Sequence, residues 1–181
     1  MHLTSQRYYL LIAGLAAVAI FSGCNQSLTV AGENATLPAD ENSAAFLDRM
    51  SSLDKVTQND AMRGILMLEG GDKASTFKER VNSLIDKNII CPKGSYDSSA
   101  NISRGQLARM ICTSCELKGG VILRLTGPSE RYCLRELEYR QMMINGSVSA
   151  EISGMEFASV LTRAEIYKRT RRFPDMVGDT D

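Results

Sequence analysis

The sequence predicts an all-α fold, a compact bundle of about six helices built from three helix-pair pseudo-repeats. Three observations predict it. A helix-start signature occurs at Thr57-Gln58-Asn59-Asp60, Ser103-Arg104-Gly105-Gln106 and Ser153-Gly154-Met155-Glu156, each preceded by a β-branched residue: Val56, Ile102 or Ile152. In such a capping box the hydroxyl accepts from the amide three residues on, and the third residue's side chain reaches back to the cap's own amide. The three starts lie 46 and 50 residues apart, which marks a repeated unit. Between them apolar residues recur at three- and four-residue steps, the helical period. Only residues 121–125, VILRL, read as a strand.

The elements follow in order. Phe46, Met50 and Leu53 predict a short amphipathic helix over 44–53. Thr57 caps the second, with Ala61, Ile65, Leu66 and Leu68 inward, and Gly70-Gly71 ends it. Thr76 with Glu79 forms a further box, opening a helix with Phe77, Val81, Leu84, Ile85 and Ile89 on one wide apolar face. That helix fails at Cys91-Pro92, because proline disfavours a helical residue before it. A polar loop, 95–101, leads into the central boxed helix. Ile102 and Leu107 can staple its start, and Gly119-Gly120 closes it. A helix resumes at Ser129 and runs to about Ile144, where Asn145-Gly146 stops it. The third boxed helix runs from Ser153 to about Thr170 with Phe157, Val160, Leu161, Ala164 and Tyr167 available to pack. The domain spans 44–170, and residues 171–181 read as a disordered tail.

The N-terminus carries an address. Arg7, an apolar run over 8–21 and small residues at its end describe a secretory signal peptide, too short for a spanning helix. Phe21-Ser22-Gly23-Cys24 resembles the bacterial lipobox, with Phe21 in place of the usual Leu. The resemblance implies cleavage before Cys24 and acylation of Cys24 with chains such as palmitate, which hold the protein on a membrane. Asn25 after the cysteine implies, by the same resemblance, an outer-membrane address facing the periplasm. Residues 24–43 are polar and small and read as a flexible tether.

Cleavage would take the chain from 21 acidic and 21 basic side chains to 21 and 20, and would remove the only histidine, His2. Near neutrality gives no reason to expect nucleic acid as partner. A chain without histidine lacks the commonest general base and metal ligand, which excludes a Ser-His-Asp or Cys-His site and His-ligated zinc.

The unit itself is a longer helix, a loop after a buried Ile, then a boxed helix. Its best copy is Phe77 to Cys115: FKERVNSLIDKNII, a polar loop, then NISRGQLARMI. This resembles the S-layer homology (SLH) repeat, whose second helix opens with a Thr-Arg-Ala-Glu type motif after an Ile. Ser103-Arg104-Gly105-Gln106 fits that slot with its Arg, whereas the Thr57 and Ser153 slots keep the hydroxyl and acid but lack the Arg. The resemblance covers about residues 44–168. It implies three helix pairs around a pseudo-threefold axis and binding of cell-wall polysaccharide, with Ser103, Arg104 and Gln106 as the contact site. An Arg in the first helical turn, with that turn's free amides, suits an anion.

Cys91, Cys112, Cys115 and Cys133 remain in the exported domain, an even number that suggests two disulfides. Cys112 and Cys115 lie on one helix, where mutual pairing would strain it. Cys91 and Cys133 are therefore each expected to pair with one of them. A thioredoxin-like role is disfavoured because Cys112 lies two turns past the helix start, and the loose spacing argues against zinc. The expectation is a non-catalytic envelope lipoprotein without cofactor, held by a lipid anchor and binding cell-wall glycan or an envelope protein. The competing expectation is an assembly module on the same scaffold that has lost glycan binding.

Overall fold

The computed structural model describes residues 27–32, 42–117 and 127–173. The signal peptide, Cys24, Gly119-Gly120 and the strand expected at 121–125 lie outside them, as do tether residues 33–41 and tail residues 174–181.

Six helices and two short strands make up the described residues: β1 (Thr29–Ala31), α1 (Ser43–Ser51), α2 (Gln58–Leu68), α3 (Phe77–Asp86), β2 (Ser95–Asp97), α4 (Arg104–Ser114), α5 (Glu130–Tyr139) and α6 (Gly154–Thr170). The fold is all-α. The helices pair as α1/α2, α3/α4 and α5/α6. The first helix of each pair packs chiefly on the boxed helix of the preceding pair: α3 on α2, α5 on α4, and α1 on α6. That cyclic order closes the bundle.

Backbone hydrogen bonds close it again at the boxed starts. The first four amides of a helix have no partner within it. Here the first amide of the second helix of each pair donates to a carbonyl of the next pair's loop: Gln58 to Ala100 at 2.8 Å, Arg104 to Ala150 at 2.8 Å, and Gly154 to Leu53 at 2.9 Å. Beneath them the staple residues Val56, Ile102 and Ile152 are buried. Ile102 N donates to Val56 O at 2.9 Å and Val56 N to Ile152 O at 3.2 Å. On the rim, Asn101 donates to Glu151 at 2.9 Å, and Lys55 pairs with the same carboxylate.

The three boxes differ in detail. Ser103 and Gln106 satisfy each other's amides reciprocally. Thr57 accepts from Asp60 N at 3.2 Å and donates to the Asp60 carboxylate at 2.7 Å; Asp, a methylene shorter than Glu, does not return to the cap amide. Ser153 accepts from Glu156 N at 3.3 Å, but the Glu156 carboxylate goes to Arg104.

Several expectations are corrected. Part of the tether is docked: β1 pairs in parallel with β2, Val30 opposite Tyr96, and Ser98 N donates to Ala31 O at 3.1 Å. Branched Thr29 and Val30 suit a strand, and the loop supplies the partner edge. The tail begins packed, since Phe173 stacks on Tyr167 at 4.5 Å with Arg140 over its ring. Helices α3 and α5 stop short of the expected ends because Asn88 and Gln141 take the left-handed conformation, both at φ 57°. The amides of Ile89 and Met142 then bond back to Leu84 O and Leu137 O, a Schellman-type closure that buries Ile89-Ile90 and Met142-Met143. Glu116, at φ 51°, ends α4 in the same way before the glycine pair.

Candidate binding site

Arg104 does not face solvent. It is 6% exposed. Its Nη1 donates to Glu156 Oε2 at 2.5 Å, and Nη2 donates to the Ile144 carbonyl. Gly146 lies over the guanidinium, where a Cβ would sit 2.7 Å from Nε. The expected contact site of Ser103, Arg104 and Gln106 is therefore dispersed. The Ser103 hydroxyl caps α4, and Arg104 clamps the third pair onto the second. The reason is local: the third slot carries Glu156 without an Arg of its own, and that carboxylate draws in the Arg of its neighbour.

Gln106 is the member that still faces a cavity. One helical step beyond it lie Arg109 and Met110, on the same face of α4. With them, the loop after α3 (Ile89, Ile90, Cys91, Gly94, Ser95, Tyr96), the start of α2 (Gln58, Met62) and Glu130 enclose a pocket of about 200 Å³. Its floor is apolar and its rim polar. Tyr96 is fixed by donating its hydroxyl to Cys91 O at 2.8 Å, and β1 pairs along the backbone of its strand. Gly94 has no side chain because a Cβ there would lie 2.4 Å from the Tyr96 ring. Gln58 accepts from Asp97 N at 3.2 Å, which ties α2 to the same wall. Burial pushes the Tyr96 phenol up and the Cys91 thiol adds to this, against Arg109 and the bond to the Cys91 carbonyl. The ring is neutral at physiological pH. The Arg109 guanidinium, half-buried, makes no hydrogen bond or ion pair among the described residues.

The arrangement offers a planar cation, an amide and a held aromatic ring around an apolar floor. Among the described residues no three His, Cys, Asp or Glu side chains gather as a metal site, and no helix is long and apolar enough to cross a membrane. A second pocket of about 200 Å³ between α1, α2 and α6 is apolar apart from Ser43 and Glu165. A more open groove along α5 carries Arg131, Arg135 and Tyr139.

The four cysteines among the described residues are free thiols. Cys112 faces α5, its Sγ 3.8 Å from Cys133 O. Cys115 faces α6, 3.9 Å from Ala164 O, and burial pushes its thiol up to about 11. Cys91 is half-buried in the pocket wall. The four are unbonded here, and the central cysteines point to different helices although they sit three residues apart.

Sequence reasoning missed Arg109, Tyr96 and Gln58. Arg109 had a signal, since it lies three residues past Gln106 on the same face. Tyr96 had none, because its position depends on a strand formed with a segment some 66 residues earlier. Comparison with protein-family models, with curated proteins and with solved structures finds no match.

Proposed function

We propose that this chain is a non-catalytic, lipid-anchored envelope protein whose helical domain binds cell-wall glycan, through the Arg109 pocket rather than through Arg104. The observation that carries the reading is the Arg109 guanidinium, unpaired among the described residues, beside Tyr96 and Gln106 in a pocket with an apolar floor. A guanidinium recognises carboxylate or phosphate groups in bidentate fashion, and an aromatic face with an amide suits a sugar ring. The lipobox-like Cys24 and the signal-like N-terminus support the address.

Co-sedimentation with isolated cell-wall sacculi tests it. The expected result is binding that weakens with salt and falls about tenfold in Arg109→Ala at low salt. No binding at any salt would sink the glycan reading.

The second reading, an assembly module without glycan binding, draws on the third helix pair. Arg104 is withdrawn into an ion pair there, while Tyr139, Ile144 and Met155 stand 80%, 67% and 71% exposed. Salt-insensitive capture of one envelope protein, lost in Ile144→Asp and kept in Arg109→Ala, would favour it.

A further inference from the structure

The geometry points to Cys112 and Cys133 as an oxidisable pair that covalently links α4 to α5. Both side chains are buried, at 3% and 0% exposure, and the Cys112 Sγ lies 3.8 Å from the Cys133 carbonyl. The two helices come close: a Cβ on Gly105 of α4 would stand 3.1 Å from the Cβ of Glu130 of α5. Cys115 is turned to α6, and Cys91 sits in the pocket wall with its sulfur accepting from Lys93 N at 3.4 Å. One bond therefore forms, and two thiols remain.

The step balances against a disulfide oxidant, such as oxidised glutathione or a protein disulfide. Cys112 and Cys133 each lose a proton and one S–S bond forms. The two electrons pass to the oxidant, whose own S–S bond breaks to give two thiols. The attacking species is a thiolate. In the folded protein the hydrogen bond with Cys133, and then burial, push the Cys112 thiol far above its ordinary range. With both sulfurs buried in the folded chain, the exchange runs while α4 and α5 are still apart, and closure then shields the bond.

The test is to unfold the full-length protein in detergent under reducing conditions and refold it with oxidised glutathione. It is then alkylated, and its unreduced peptides are mapped by mass spectrometry. The expected map links the Cys112 and Cys133 peptides and shows Cys91 and Cys115 alkylated. Cys115→Ser keeps the link and Cys133→Ser loses it. Reduction lowers the melting midpoint of the linked protein by about 10 °C. A map in which Cys112 and Cys133 are both alkylated, or in which either is joined to Cys91 or Cys115, overturns the inference. The wild-type map decides this even if a serine variant fails to fold.

Discussion

Arg104 holds a carboxylate from α6 and a carbonyl from the loop before it, so its removal leaves the largely buried Glu156 carboxylate without its partner. Breaking a buried pair from one side costs about 3 kcal/mol or more. Arg104→Ala should therefore lower the denaturant midpoint at unchanged slope. Arg109→Ala, with no protein partner to lose among the described residues, should stay within about 0.5 kcal/mol. Equal losses in the two variants would contradict the assignment of one arginine to structure and the other to ligand. Glu69 gives the second prediction at this scale. Burial raises its carboxyl, but Lys168 at 2.5 Å and the Ser114 hydroxyl outweigh it and hold the group below the ordinary 4.5. A depressed folded value contributes stability that is present above pH 4.5 and is lost as pH falls through the folded value. Glu69→Gln should thus be the less stable protein at pH 7, the gap closing in unfolding curves taken down to pH 3. A gap that widens with acid would contradict the sign.

The elements meet where side chains are smallest. At Gly154 a Cβ would stand 1.7 Å from Met50 O, because the start of α6 sits on the end of α1. Gly154→Ala should cost about 2 kcal/mol or more through forced separation, read by thermal unfolding, whereas Met155→Ala on the exposed neighbour should be near neutral. The helix starts were legible in the sequence, since a cap, its reciprocal residue and a staple all lie within six positions. Thr57, Thr76, Ser103, Ser129 and Ser153 all cap helices. The ends were less legible. Asn88, Gln141 and Glu116 are non-glycine residues in the left-handed region, and at Asn88 and Gln141 a buried apolar pair follows, Ile89-Ile90 and Met142-Met143. The strands were illegible for a related reason. Three residues carry no period, and β1 exists only because β2 lies beside it.

At the scale of the molecule, the repeat is a closed ring. The second helix of each pair has its first amide satisfied by the next pair, and the C-terminal ends of α2, α4 and α6 meet at Glu69, Ser114 and Lys168. The number and order of the pairs could be read from three spaced capping boxes. The proposed binding face could not, because the pocket gathers residues from α2, the loop after α3, α4 and the start of α5. The motif pointed to Arg104, and the tertiary contact with Glu156 drew that residue inward. The most direct measurement is a map of backbone amide NMR shifts as soluble cell-wall glycan fragments are added. Saturable shifts centred on Tyr96, Gln106 and Arg109, abolished in Arg109→Ala, are expected. Shifts confined to Tyr139, Ile144 and Met155, or none at all, would contradict the proposal.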